Sequence, residues 1–420
     1  MLLRLCLQLC IGVIAAGCVS QHALAQQKVY TWQELRDRFE TTNPTLRAAQ
    51  IGIDESRAQE VTAYLRPNPD FTLSVDQVDP FTLHPFRPLA AALPFESASY
   101  LHERRHKREL RLESAQKATA VAVSQQQDTE RTLLFTLHNA FVQLLQAKNV
   151  LAVAKENLEQ YDKLLGINRD RQRSGDLAKV DLYRLQLQRV QFESDVQTAD
   201  VNMRTAKIQL LTLLNDRTPI DQFDVAGDFD FTDRLPSLDE LRNLAQDTRP
   251  DLKAAIQAID KARTDYRLAV ANGSTDPTFG VDFARNPPLI GYFGVSVNIP
   301  LRIFDRNQGE KQRTNLDIGR NQQLQAATKA QVFSDVDSAY ATLNSNLILL
   351  RPYKAEYLQQ STEVRDIISY SYQRGAASLL DFLQAQNEYR AIRVTYLNLI
   401  GAYLTATNQL SLAVGRDVLP

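Results

Sequence analysis

Apolar positions repeat every seven residues over long stretches of the chain. In the first half, leucines recur at this spacing from residue 137 to residue 165, and apolar residues recur in the same way from 336 to 364 in the second half. After Gly175 and after Gly375, apolar residues continue at spacings of three and four. A sustained seven-residue repeat is typical of long helices that supercoil and pack side by side. The pattern therefore predicts four very long helical segments.

Other short segments alternate apolar and polar residues with a period of two. This alternation is found at 71–76, 279–284 and 293–299, and it predicts β-strands with one apolar face. The partner of the first strand is less clear, and we place it at 97–104. A soluble sheet edge would show the same alternation, so the strands alone do not decide between a soluble sheet and a membrane-inserted one.

The first half of the chain recurs in the second half about 200 residues later. NPTLRAAQIGIDESRA (43–58) matches RPDLKAAIQAIDKART (249–264), and NPDFTLSVD (68–76) matches DPTFGVDFA (276–284). Self-similarity at a fixed offset is the mark of a duplicated architecture. The two halves are therefore predicted to share one fold.

Each half contains a glycine that is followed six residues later by an aspartate. The pairs are Gly175 with Asp181 and Gly375 with Asp381. Glycine readily adopts the left-handed conformation that ends many helices. A helix from about 107 to 172 would be roughly 100 Å long, which no compact domain needs. We therefore interpret the two glycines as the tips of long helical hairpins.

These patterns divide the chain into four parts. Each repeat is predicted to contain short helices, two β-strands and one long helical hairpin, with its tip near 175 or near 375. The parts are a signal peptide (1–25), the first structural repeat (26–214), a linker (215–235) and the second structural repeat (236–420).

Residues 1–25 have the composition of a signal peptide. Arg4 precedes an apolar run, and Ala23-Leu24-Ala25 forms a cleavage motif before Gln26. The sequence IAAGC that ends at Cys18 is also similar to a lipoprotein cleavage box, so lipidation of this cysteine stays open. All three cysteines lie within the first 18 residues. Neither a disulfide nor thiol chemistry is therefore expected in the mature chain.

Composition adds mainly exclusions. A net charge of −1 over 420 residues gives no general attraction to nucleic acid. The sequence lacks the G-x-S-x-G, H-E-x-x-H, P-loop and dinucleotide-binding motifs, so we expect neither an enzyme nor a bound cofactor. The histidines form no helical pair at metal-ligand spacing, since His102 and His106 lie in a basic, partly strand-like stretch. No metal site is therefore expected.

The predicted strands raise a problem of closure. Four strands cannot form a barrel, which needs about eight, and an open sheet edge is not viable in a membrane. An exported chain with such strands would have to share them with copies of itself, and three copies would supply twelve. The alternative is a secreted coiled-coil scaffold or adhesin without a channel. It explains the heptads and the export, but not the strands between short and long helices.

The order of these motifs resembles the TolC family of outer-membrane efflux proteins over the whole mature chain. The resemblance rests on Asn43-Pro44 with LRAA, on RPNPDF (66–71), and on the tip sequences SGDLAKVDL (174–182) and RGAASLLDFLQAQ (374–386). The segment IPLRIFDRNQGE (299–310) is similar to the CzcC-like branch, which exports heavy metals and other cations.

The resemblance implies a mainly α protein with a β-barrel part. Four transmembrane strands per chain would form a twelve-stranded barrel in the outer membrane of a homotrimer, and the helices would form a long antiparallel coiled-coil α-barrel that extends into the periplasm. It implies the duct of a tripartite efflux system, which passively conducts substrate from an inner-membrane RND-type pump and a periplasmic adaptor. Metal cations and organic solutes or drugs both remain open as cargo.

The resemblance also implies a periplasmic gate at the tips, near Gly175 and Gly375. Asp181 and Asp381 match aspartates that line the entrance in the family, and Tyr372 matches a tyrosine that helps to latch it. From the residues alone, a simpler interpretation is favoured, in which each aspartate complements the dipole of the helix that it begins.

The chain departs from the family pattern at two places. The latching arginine of the family has no match, because Ala377 stands there, and Arg374, Arg173 and Lys179 are the candidates to replace it. ERRHKREL (103–110) stands where the family usually has a glycine-rich bend. The path of the chain between the second strand and the first long helix is therefore open.

Overall fold

A computed structural model describes residues 28–78, 80–81, 85–89, 92–285 and 291–418. The predicted signal peptide, Cys18 and part of the loop between the first two strands lie outside the described residues. The contacts divide the described chain into two units. One takes in the residues up to Asn43 with Thr136–Asp233 and Ser345–Thr405, and the other takes in Pro44–Phe135, Arg234–Asn344 and the residues from Ala406 onward.

The described residues form α-helices and short β-strands. The helices are α1 (Trp32–Thr42), α2 (Pro44–Tyr64), α3 (Lys107–Arg173), α4 (Lys179–Leu213), α5 (Leu238–Thr248), α6 (Pro250–Asn272), α7 (Gln308–Pro352), α8 (Leu358–Gln373) and α9 (Leu379–Val414). The strands are β1 (Lys28–Tyr30), β2 (Asp70–Asp76), β3 (Leu93–Leu101), β4 (Phe223–Val225), β5 (Thr278–Ala284) and β6 (Tyr292–Asn298). A π-helical turn, Tyr353–Tyr357, joins α7 to α8.

The short helices begin at capping boxes that the sequence specifies. At the start of α1, Thr31 accepts a hydrogen bond from the backbone N–H of Glu34, whose carboxylate bonds back to Thr31. Ser237 and Glu240 form the same arrangement at the start of α5. Each box satisfies backbone donors that would otherwise lack a partner in the first turn.

Helix α3 has 67 residues, which corresponds to about 100 Å at 1.5 Å per residue. Its bounds confirm the predicted helix from 107 to 172 and extend it by one residue. Leu137, Leu144, Leu151 and Leu165, which belong to the predicted heptad stripe, are all buried. No helix within the described ranges carries an apolar stretch long enough to cross a membrane.

The heptad stripe of the second half is interrupted by the π-helical turn. Proline has no backbone N–H to donate to the preceding turn, and Pro352 comes immediately before this turn. A π turn inserts one extra residue into a helix. Leu350 is fully buried, whereas Tyr357, seven residues on, is exposed and Leu358 lies half-buried in its place. The buried stripe of α8 is therefore displaced by one residue from the predicted repeat.

Strands β2, β3, β5 and β6 form one antiparallel sheet in that order. The strand that we placed at 97–104 is β3, which begins four residues earlier and ends three residues earlier. The register gathers most of the large apolar side chains on one face, where Glu96 is a charged exception. The exposed residues of this face include Phe71, Leu73, Val75, Ala98, Phe279, Val281, Phe283, Phe293, Val295 and Val297.

The other face of the sheet carries mainly small and polar residues, although Leu93, Phe95, Leu101 and Tyr292 also belong to it. The small and polar residues include Thr72, Ser74, Ser97, Ser99, Gly280, Asp282, Gly294 and Ser296. Strands β2 and β6 lie at the two ends of the sheet order, and neither has a further partner strand among the described residues. Within the described residues, the sheet therefore has one mainly apolar face, one mainly polar face and two open edges.

Two consecutive left-handed residues connect β3 to α3. Arg105 and His106 have φ values of 57° and 56°, at the place where the sequence lacks the glycine-rich bend of the family. The buried ammonium group of Lys107 then lies 2.5 Å from Asp276 and donates to the carbonyl of Ser274. This ion pair fixes the start of α3 beside the start of β5.

Candidate gate at the hairpin tips

The first tip lies between α3 and α4. Gly175 has a φ of 88°, and the N–H of Asp176 donates to the carbonyl of Arg171 at 2.8 Å. This 6→1 bond with a left-handed glycine is a helix C-terminal motif that other residues adopt only with strain. Helix α4 then starts after Ala178, which offers no side-chain cap.

The second tip has the same C-terminal motif but a different helix start. Gly375 has a φ of 77°, and the N–H of Ala376 donates to the carbonyl of Ser371 at 2.8 Å. At the start of α9, the hydroxyl of Ser378 accepts from the N–H of Asp381 at 3.1 Å, and the carboxylate of Asp381 accepts from both the hydroxyl and the N–H of Ser378. A reciprocal cap therefore closes the second tip but not the first.

The two hairpins share one apolar core within their unit. The core joins side chains of α3 and α4 to side chains of α8 and α9. Its buried members are Tyr161, Leu165, Leu182, Leu185, Phe192, Tyr372 and Phe382. Because both hairpins contribute to it, movement of one hairpin against the other would expose this core.

Tyr372 lies at the centre of the contact between the hairpins. Its ring stacks on Phe382 with centroids 4.9 Å apart. Its hydroxyl donates to Oδ1 of Asn168 at 3.2 Å, and both residues are buried. Burial raises the pKa of Tyr372 above its ordinary value, so the hydroxyl stays protonated and remains a donor at neutral pH.

Arg171 is the cation that faces Tyr372. Its guanidinium lies 5.5 Å from the centre of the tyrosine ring, and Nη1 donates to the carbonyl of Tyr372 at 3.5 Å. The three cations proposed from the sequence have other contacts. Arg374 lies over the ring of Tyr370, Arg173 pairs with Asp170, and Lys179 lies over the ring of Tyr183.

The two gate aspartates have different surroundings. Asp381 caps α9, and the hydroxyl and N–H of Ser378 hold the pKa of its carboxyl below the usual range. Asp181 instead lies 3.6 Å from the guanidinium of Arg184. Asp381 therefore has a local structural role as part of the cap of α9. Both aspartates lie in the first turn of their helices, where the sequence led us to expect that they complement the helix dipole. An additional role of either aspartate in lining an entrance stays a prediction.

Sequence reasoning missed Arg171 and Asn168. The sequence did contain a signal for Asn168. It follows Tyr161 and Leu165 at spacings of four and three, so it places an amide at a position where the helical pattern predicts a buried apolar residue. Arg171 gave no such signal, since arginines are common near helix C-termini for electrostatic reasons. Its contact with Tyr372 depends on the docking of two hairpins 200 residues apart in sequence.

The described residues contain no cluster of three or more His, Cys, Asp or Glu side chains that could hold a metal ion. The arrangement at the tips consists instead of stacked rings, one buried amide and paired charges. Such an arrangement can hold two helical hairpins together and release them. It offers no nucleophile paired with a general base.

Comparison with known proteins finds similarity to efflux proteins. Residues 241–416 match the family described as outer membrane efflux protein. The chain is 22% identical to the cobalt-zinc-cadmium resistance protein CzcC of Cupriavidus metallidurans over 386 residues, which cover 89% of this chain and 87% of that protein. It is 23% identical to the pyoverdine export outer membrane protein OpmQ of Pseudomonas aeruginosa over 300 residues, which cover 68% of this chain and 62% of OpmQ.

The fold is also that of a solved outer-membrane channel. The structure of CusC, described as forming a transmembrane channel, superposes with a TM-score of 0.75 at 17% identity, covering 95% of this chain and 96% of CusC. Residues 241–416 thus form an outer membrane efflux protein domain. The family recognised from the sequence motifs is confirmed.

Proposed function

We propose that the protein is the outer-membrane duct of a tripartite efflux system and conducts substrate passively. The sheet is the observation that carries this proposal. Most of its large apolar side chains are exposed on one face, and its other face is mainly small and polar. An apolar outer face and a polar inner face are what a membrane β-barrel with an aqueous lumen requires.

The open edges of the sheet support a homotrimer. In a bilayer, unpaired backbone groups at β2 and β6 would each cost several kcal/mol. Four strands from each of three chains would pair every edge and close a twelve-stranded barrel. The internal duplication predicted from the sequence fits this arrangement, because β2 and β3 in the first half correspond to β5 and β6 in the second.

Exposed apolar stripes on the long helices also support assembly with other copies. Along α4, Val180, Tyr183, Leu187 and Val190 follow spacings of three and four and are all exposed. On α8, Val364 and Ile367 are exposed, next to the stripe displaced by the π turn. Monomeric soluble proteins rarely expose such continuous stripes. We propose that α4 of one protomer packs against α8 of the next.

The tips are proposed to be the periplasmic gate. The stacked contact of Tyr372 with Phe382 and its hydrogen bond to Asn168 hold the hairpins of one chain together. In a symmetric trimer, Asp181 and Asp381 would each become a ring of three carboxylates, which would attract cations. Binding of a periplasmic adaptor would open the tips, and an inner-membrane pump of the RND type would supply the energy.

We propose metal cations as the first cargo to test. The match to CzcC extends over 89% of this chain, whereas the match to OpmQ, a pyoverdine exporter by name, extends over 68%. Organic solutes remain the second class. A secreted scaffold without a channel would explain the heptads but would not explain why one face of the sheet exposes apolar side chains.

The experiment that tests this function combines membrane fractionation with conductance. The full-length protein should fractionate with outer membranes, migrate as a heat-sensitive trimer, and form ion-conducting channels in planar bilayers. Protein that is released by a salt wash and shows no conductance would exclude a duct. Expression with a cognate pump and adaptor should then lower cellular zinc or cobalt, and unchanged metal content with restored export of an organic solute would reassign the cargo.

A further inference from the structure

The segment that follows β6 combines exposed apolar side chains with arginines. We name residues 299–306 the β6 exit segment. Leu301, Ile303 and Phe304 have exposed fractions of 79%, 62% and 90%. Arg302 lies between them and is half-buried, and Arg306 follows them and is exposed. Single exposed apolar residues are ordinary, but Ile299, Leu301 and Ile303 continue the spacing of two set by Val295 and Val297 on the exposed apolar face of β6. Phe304 adds an exposed ring next to this row.

The backbone of this segment is held in place although its side chains are exposed. The side-chain amide of Asn307, which follows the segment, donates to the carbonyl of Ala269 in α6 at 2.8 Å. The amide of Gln308 donates to the carbonyl of Phe304 at 3.1 Å. The N–H of Ile303 donates to the carbonyl of Leu301 at 3.0 Å. The exposure of these apolar residues is therefore fixed by the fold.

The nearby carboxylates are not paired with these arginines. Asp305 accepts from the N–H of Asn307, Glu310 pairs with Arg313, and Asp276 pairs with Lys107. Among the described residues, neither Arg302 nor Arg306 forms an ion pair. The antiparallel topology places further exposed arginines at the same end of the sheet, namely Arg66 before β2 and Arg104 and Arg105 after β3.

We propose that the β6 exit segment binds anionic phospholipid headgroups where the barrel leaves the membrane. This inference rests on the proposed function, because the strands must be in a bilayer. Phe304 and its apolar neighbours would lie at the boundary between acyl chains and headgroups, where aromatic side chains are favoured. Arg302 and Arg306 would then reach the headgroup phosphates, which guanidinium groups bind as charged, forked donors.

The test uses the full-length trimer in lipid nanodiscs, with Phe304→Trp as a fluorescent reporter. The nanodiscs contain phosphatidylcholine with a minor fraction of phosphatidylglycerol, and one of the two lipids carries bromine, which quenches nearby tryptophan. The protein without this substitution gives the background from Trp32. We expect brominated phosphatidylglycerol to quench the reporter more strongly than its molar fraction predicts.

The arginine variants determine whether charge recruits the lipid. In the reporter background, Arg302→Gln with Arg306→Gln should lower the preference for phosphatidylglycerol up to about 25-fold, since each arginine near a membrane surface contributes about a factor of five. Replacing both with lysine should retain most of the preference. Arg320→Gln is the matched control, because Arg320 is exposed on α7 and pairs with Asp317; it should change nothing.

Several outcomes would overturn the proposal. Equal quenching by both lipids, or a preference that survives the double glutamine variant, would show that the arginines do not recruit headgroups. Loss of the preference on addition of inorganic phosphate would show a general phosphate site rather than a lipid site. Failure of the reporter to be quenched by either lipid, in protein that still conducts in planar bilayers, would reject this segment alone. A protein that neither inserts nor conducts would reject the proposed function.

Discussion

The hydroxyl of Tyr372 donates a hydrogen bond to Oδ1 of Asn168 across 204 residues of sequence. The bond joins the second hairpin to the first inside a core that excludes water. If a buried amide oxygen loses its hydrogen-bond donor, nothing offsets the free energy that its removal from water costs. The bond is therefore a point at which the contact between the hairpins can be weakened without removing apolar packing.

Replacing Tyr372 with Phe should loosen the tips while the chain stays folded. The ring would still stack on Phe382, but Asn168 Oδ1 would lose its donor at a cost of about 1–3 kcal/mol. We expect faster amide hydrogen exchange at 165–185 and a larger leak in planar bilayers. Tyr370→Phe is the control, because Tyr370 is exposed. Unchanged exchange in Tyr372→Phe would show that the bond does not hold the hairpins together.

The two gate aspartates should differ when each is replaced singly with Ala. Asp381→Ala removes the reciprocal cap of α9, so the amides of 379–383 should exchange faster. Asp181→Ala removes only a contact with Arg184, so the start of α4 should change little. Asp381→Asn, which keeps an acceptor oxygen, should lie between wild type and Asp381→Ala. Similar fraying at both tips would contradict the asymmetry of the caps.

The double replacement of both aspartates with Ala tests the gate itself. If each aspartate forms a ring of three carboxylates in the trimer, their loss should raise conductance and weaken block by divalent cations. Block is measured by titrating the cation on the tip side of a planar bilayer. Unchanged conductance together with unchanged block would leave Asp381 as a helix cap and exclude both residues from the entrance.

The cap of α9 should fail only in acid. The hydroxyl and N–H of Ser378 hold the pKa of Asp381 below its ordinary value. The cap therefore contributes stability above the unfolded pKa, and this contribution is lost as the pH falls through the lower folded pKa. Between pH 8 and pH 5 we expect no change in leak from this group. Below about pH 4, protonation of Asp381 should raise the leak of the wild-type protein. Asp381→Asn has no carboxyl group to protonate at this position, so its leak should rise less over the same pH range.

The connection from β3 to α3 should tolerate glycine. His106 is left-handed, with a φ of 56°, a conformation that costs a residue with a Cβ roughly 1–2 kcal/mol. His106→Gly should therefore raise the thermal stability of the trimer by an amount corresponding to about 1 kcal/mol. Arg108→Gly is the control, because it lies in the first turn of α3, where glycine destabilises a helix. Destabilisation by both substitutions would show that His106 is not strained.

The sequence predicted α3 almost to the residue, because a heptad stripe from 137 to 165, a glycine at the end and the absence of proline over all 67 residues agree. It also predicted β2, β5 and β6 from alternation. It misplaced β3, since Glu96 breaks the apolar pattern of a strand whose register is set by β2 and β5. The ends of such a strand are set by the neighbouring strands that pair with it, and its own sequence does not show them.

The displaced stripe on α8 and the role of Arg171 could not be predicted. The residues from Leu350 to Val364 keep a seven-residue repeat in sequence. Because the π turn adds one residue to the helix, Tyr357 and Val364 of this repeat are exposed instead of buried. Arg171 meets Tyr372 only because two hairpins dock. Both features depend on the geometry between elements, which a local pattern does not contain.

The exposed stripes of α4 and α8 give the sharpest test of assembly. Leu187 and Ile367 are exposed by 73% and 63%, so a charge at either position costs the single chain little. In a trimer, burial of each side chain would contribute about 1.5–3 kcal/mol at each of the three equivalent interfaces. Leu187→Glu or Ile367→Glu should therefore shift the detergent-solubilised protein from trimer to monomer, as measured by light scattering.

A paired substitution distinguishes the proposed packing of α4 against α8 from general loss of solubility. If the two stripes meet, Leu187→Glu combined with Ile367→Lys should restore part of the trimer, because opposite charges would then face each other between protomers. Lys163→Glu, an exposed charge reversal on α3, should leave the trimer intact. A trimer that survives both single glutamate variants would show that these stripes lie outside the contact between copies, and a double variant no better than the single ones would show that they face different partners.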